Sequence, residues 1–149
     1  MNNICSKACK FFEDTNPSSR EINYALLAMR IAVGLFFVTF GYGKLFGAPG
    51  LDAISGLIAS IGFPIPGVFA LLVGVAEFFG GIAIILGVFT RFSAFWLMII
   101  TLVAWATVKG FSFGFGAEGN FDLLALGLTM ALFFTGPGAM SVSGQMRKE

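Results

Sequence analysis

Four stretches of this chain are too apolar to rest against water, and together they leave almost no sequence from which to build a wetted surface. They run over about residues 22–46, 67–89, 92–108 and 121–138, and at 1.5 Å per helical residue about 20 residues cross the hydrocarbon of a bilayer. The first is broken in its interior only by Arg30, and the second carries Glu77 as its one charge. Hydrophobic residues make up 57% of the chain and charged residues 11%, against about 25% charged in a soluble domain. So few charges cannot cover a soluble protein of 149 residues. The solvent must be lipid, and the fold class expected is an all-α polytopic membrane protein, a bundle of four transmembrane helices. A signal peptide does not account for the first stretch, which is longer than such an apolar region and contains an arginine.

Residues 47–67 break the pattern. Leu51, Ile54, Leu57, Ile58 and Ile61 recur at helical spacing, while Asp52, Ser55 and Ser60 fill the rest of the turn. A run this short and one-sided predicts an amphipathic helix at the interface or in the mouth of the bundle, between the first and second spans. Phe63-Pro64-Ile65-Pro66 ends it. Ahead of the first span, residues 1–21 read as a polar tail. In it Ile4, Ala8, Phe11 and Phe12 share a helical face, and Ser18 with Glu21 forms a capping box. Residues 22–140 form the membrane domain and 141–149 a second tail. Thr90-Arg91 reads as a short connection, Trp96 and Trp105 as interfacial aromatics of the third span, and Phe111, Phe113 and Phe115 as a cap on the bundle.

Lys and Arg are distributed unevenly. The side holding both tails and Arg91 carries Lys7, Lys10, Arg20, Arg91, Arg147 and Lys148; the opposite side carries Lys44 and Lys109. The positive-inside rule then places both termini in the cytoplasm.

Arg30, Lys44, Glu77 and Asp122 lie within or at the edges of the spans. A charge on a spanning helix costs about 2.5–3.5 kcal/mol even on a lenient scale, so such groups turn inward and find partners. Arg30, Gly34, Gly41 and Lys44 fall on one stripe of the first helix, and Gly74, Glu77 and Gly81 on one stripe of the second. The glycines would let the helices approach closely. Helix-end depths of about 9–12 Å for Arg30 and about 18 Å for Glu77 leave a gap of about 6–9 Å, within reach of an extended arginine or a bridging water. The expected pairs are therefore Arg30–Glu77, as a structural lock, and Lys44–Asp122. The competing reading has Arg30 and Lys44 reaching to the two interfaces and Asp122 stabilised in the first turn of its helix beside Asn120. A Glu77 facing water would instead suit proton-linked transport.

No catalytic residue can be named. The chain has no His, which removes the commonest metal and proton-relay ligand. Its cysteines, Cys5 and Cys9, lie in the tail at C-x3-C spacing, which is neither a dithiol motif nor a disulfide framework. At a net charge of +1, with no basic patch, nothing points to nucleic acid.

The runs RIAVGLFFVTFGYGKLFG, IASIGFPIPG, VAEFFGGIAIILGVFTR and FFTGPGAMS, in that order, resemble the DoxX family of small four-helix membrane proteins over about residues 25–142. The resemblance implies a bundle in the bacterial cytoplasmic membrane. It also implies an accessory, non-catalytic role in a quinone-linked redox or thiol-stress complex, as a partner subunit or homo-oligomer. No cofactor motif is readable here, so a quinone or lipid held between helices is the form such a role would take. A small-molecule or proton-linked transporter using Glu77 is the alternative.

Overall fold

The computed structural model describes residues 18–112 and 119–146, and within them there are six helices and no strand. They are α1 (Ser19–Phe46), α2 (Gly50–Ser60), α3 (Pro66–Leu86), α4 (Thr90–Thr107), α5 (Gly119–Thr135) and α6 (Val142–Met146). Among the sequence expectations, the tail helix with Ile4, Ala8, Phe11 and Phe12, the pair Cys5 and Cys9, the rings of Phe113 and Phe115, and Arg147 and Lys148 lie outside the described residues.

The helix ends follow local chemistry. Ser18 and Glu21 form the capping box that starts α1, the Glu21 side chain accepting from Ser18 N at 2.7 Å. Pro66 opens α3, where a missing N–H costs nothing. Gly87, at φ +74°, closes α3 by donating to Ala83 and Ile84, while Val88 N donates to Ala83 O at 3.0 Å. The chain therefore turns at residues 87–89. Thr90 and Arg91, expected to be the connection, are instead the first residues of α4. Gly136, at φ +77°, similarly stops α5 at Thr135, short of the expected 138.

α1, α3 and α4 are long and apolar enough to cross a membrane, and α5 is an apolar helix of 17 residues. The distribution of side chains is that of a protein solvated by lipid. Leu35, Phe40, Leu72, Phe79, Phe92, Leu124 and Phe134 are all more than half exposed, while Arg30, Glu77, Thr101 and Thr129 are buried. Buried threonines satisfy themselves locally: Thr101 Oγ1 donates to Leu97 O and Thr129 Oγ1 to Ala125 O, both at 2.8 Å. The apolar core is formed by Val33, Phe37, Ile84, Ala94, Leu97, Ala125 and Leu132.

α1 packs most extensively on α3, and α4 on α5; the two pairs join along the α3–α4 seam, with α2 laid across α3. Glycines set the register of the first pair. A methyl group on Gly81 would lie 2.8 Å from the Gly34 carbonyl oxygen and 2.9 Å from Val38 N, and one on Gly41 would lie 2.7 Å from the Phe78 Cα. These obstacles are backbone and cannot move aside. With Gly34 opposite Gly81, Arg30 stands beside Ile85, and the start of α1 projects past the end of α3. At the other end α1 stops short: Lys44 lies level with Gly74, 3.5 Å from where a methyl group would be. α3 continues beyond it by eight residues, about 12 Å. α2 occupies that step.

Candidate functional site

The stagger decides the fate of every buried charge. Arg30 and Glu77 are separated along α3 by the eight residues from Ile85, about 12 Å, and form no pair. The expected gap of about 6–9 Å assumed level helix ends, whereas glycine contacts fix the helices out of level. Arg30 is 2% exposed and donates to four main-chain carbonyls. Its Nε bonds Ile84 O at 3.0 Å and one terminal nitrogen bonds Ile85 O at 2.6 Å. The other terminal nitrogen bonds Pro137 O at 3.0 Å and Met140 O at 3.2 Å. The guanidinium thus occupies the C-terminus of α3, where unpaired carbonyls carry a partial negative charge. It also ties the turn after α5 to α1, assisted by Asn23 Oδ1, which accepts from Ala139 N at 3.0 Å. Gly87 is favoured twice here: its φ is one that glycine adopts without strain, and a methyl group would fall 2.7 Å from Arg30 Cζ.

Lys44 takes the place expected of Arg30. Its Nζ donates to Glu77 Oε2, and both side chains are largely buried, at 15% and 7% exposure. Lys44 neither reaches to the interface nor meets Asp122. That carboxylate, in the first turn of α5, pairs instead with Lys109 at 2.5 Å. The sequence places Lys109 only among the cations of the side opposite the tails; its position just after α4 and before the start of α5 is the signal that it can reach Asp122. Trp105 departs from the interfacial reading as well. It is buried at 8% exposure, with the Phe111 ring set edge-on to it at 4.9 Å and Phe111 N bonded to its carbonyl. Trp96, half exposed, faces the α3–α4 seam.

Between α3 and α4, under α2, lies a cavity of about 540 Å³. Ile54, Leu57 and Ile58 of α2, with Ile61 just beyond its end, form its roof, so the apolar face predicted for that helix covers the cavity. Phe69, Val73 and Ala76 line one wall and Ile99, Ile100 and Val103 the other. Among the described residues, its only charged lining residues are Lys44 and Glu77. The size falls within the range of about 300–1,000 Å³ typical of small-molecule sites, which are apolar with a few placed polar groups. An ammonium with N–H groups beyond the one given to Glu77, beside a carboxylate, can both donate to and accept from a guest. Among the described residues no group of His, Cys, Asp and Glu is arranged to hold a metal.

The fold and these polar centres define a class: small helical membrane-bundle proteins whose few ions are turned inward. Within that class the chain belongs to the DoxX family, whose sequence model matches residues 25–110, from α1 to just beyond α4. It is 32% identical over 129 residues to inner membrane protein YqjF of Escherichia coli (strain K12), an alignment covering 83% of this chain and 93% of that protein. It is 34% identical over 125 residues to inner membrane protein YphA of the same organism, covering 78% and 86%. No solved structure matches the chain.

Proposed function

We propose that this protein resides in a bacterial cytoplasmic membrane with both termini inside. There it acts without chemistry of its own, holding a lipophilic molecule of quinone or lipid size for a membrane redox or thiol-stress complex. The location is supported by the two inner membrane relatives and by the excess of Lys and Arg on the side of the tails. The observation that carries the binding role is the apolar cavity with the Lys44–Glu77 pair in its wall. The accessory role rests on the family resemblance, and the absence of His and of any cysteine within the spans accords with it.

Affinity purification of the full chain from native membranes, followed by identification of bound proteins and organic extracts, tests both halves. A co-purifying protein and a lipophile enriched over bulk lipid are expected. Ala76→Trp, which would fill the cavity, should deplete that lipophile. Recovery of the protein alone, with lipid of bulk composition, would overturn the reading. Because Glu77 borders the cavity, proton-linked transport is the second reading. It requires substrate flux in proteoliposomes that vanishes in Glu77→Gln.

A further inference from the structure

The cavity does not stop at the middle of the α3–α4 seam. A groove of about 500 Å³ continues it, lined by Phe79, Gly80, Ala83, Phe92 and Ser93, and the two share Ala76 and Trp96. Lining residues run along α3 from Phe69 to Ala83 and along α4 from Phe92 to Val108 just beyond its end. At 1.5 Å per residue these are troughs of about 21 and 24 Å, most of the depth of a bilayer's hydrocarbon. All charge in the trough lies at one point, the Lys44–Glu77 pair, and the neighbouring Lys109–Asp122 pair is likewise balanced. Among the described residues, these two cations and two anions sum to zero. A guest bearing a net charge would leave that charge uncompensated in a low-dielectric site, whereas a neutral carbonyl or hydroxyl can bond Lys44 or Glu77 without upsetting the balance.

We infer that the trough takes a single-tailed lipophile with a neutral, oxygen-bearing head. The head sits at Lys44–Glu77, midway along the trough, and the tail runs past Trp96 toward Ala83 and Phe92, about 9 Å along α3, before leaving into lipid. This rests on the reading of the cavity as a ligand site and specifies what enters it.

The test uses the full chain in nanodiscs with octadecyl probes carrying a mid-chain diazirine, a terminal alkyne and one of three heads: alcohol, carboxylate or trimethylammonium. Photolabelled residues are mapped by mass spectrometry. The alcohol should label the seam around Ala83 and Phe92, compete with unlabelled octadecanol, and exceed both charged probes roughly a hundredfold, as expected for burying an uncompensated charge. The charge balance makes a second demand. Lys44→Met leaves the site one negative charge in excess and should shift preference toward the ammonium probe. Glu77→Gln leaves one positive charge in excess and should shift it toward the carboxylate. Should one variant fail to fold, the other still decides. Charged probes labelling the wild-type seam as well as the alcohol, or head preference unmoved in a folded variant, would overturn the inference while leaving the ligand site standing. Saturable labelling of the seam by none of the probes would remove the ligand site and the inference with it.

Discussion

Arg30 and Glu77 show how ionisable side chains can be buried for different reasons. Arg30 has no carboxylate partner among the described residues; its charge is spread over two carbonyls at the end of α3 and two in the turn after α5, a task for which a planar fork of donors suits arginine and not lysine. Glu77 depends on one ammonium. The two centres are therefore energetically separate, which a mutant cycle in detergent can test. Glu77→Gln should destabilise the protein by about 3 kcal/mol by leaving Lys44 unpaired, and Lys44→Met should recover part of that loss. Arg30→Gln, which keeps at most two of the four bonds, should add its own loss of about 3–6 kcal/mol, without rescue, because hydrogen bonds from a charged group are worth about 1.5–3 kcal/mol each. Rescue of Glu77→Gln by Arg30→Gln would contradict this separation. That buried charges exist was legible in the sequence, since lipid forbids lone ions. Their pairing was not, because partner choice depends on helix stagger, which residue counting from helix ends does not capture.

At the scale of elements, each spanning helix ends on a cation. α1 carries Lys44 in its last turn, α3 ends on Arg30, α4 is followed by Lys109, and Arg91 donates to Phe134 O at 3.3 Å near the end of α5. Each belongs to or lies near a helix C-terminus, where the macrodipole is negative. The glycine seam has the more severe requirement. Gly34→Ala or Gly81→Ala should force α1 from α3 and lower stability by more than about 2 kcal/mol, since overpacking against backbone cannot be relieved by a rotamer change. Gly56→Ala and Gly127→Ala, which meet open space, should be neutral or stabilising by up to about 1 kcal/mol. Melting temperatures of the four variants should fall into these two groups. The helices and the glycine stripes were legible because period and composition are local signals. The α3–α4 turn was misplaced because Gly87, two residues before the expected helix end, adopts a left-handed conformation that only its neighbours explain.

For the molecule as a whole, the bond between Asn23 and Ala139 brings the start of α1 and the turn after α5 to one end of the bundle. Reporter fusions should therefore agree: a green fluorescent protein fused to either terminus should fluoresce, and alkaline phosphatase at either terminus should stay inactive. Active phosphatase at a single end would break the topology. The overall architecture was readable from apolar length alone. The cavity was not, because it arises where α2 bridges a step between helices of unequal reach, a relation among elements distant in sequence.

That inequality also acts on the surrounding lipid. α3 has 21 residues, about 31 Å of helix, whereas α5 has 17, about 25 Å. Acyl chains lining the α5 flank must shorten or the whole body must tilt to bring its short side level with the headgroups. Such hydrophobic mismatch gives the protein a thick and a thin flank, and neighbours or bilayers that relieve the thin one are energetically favoured.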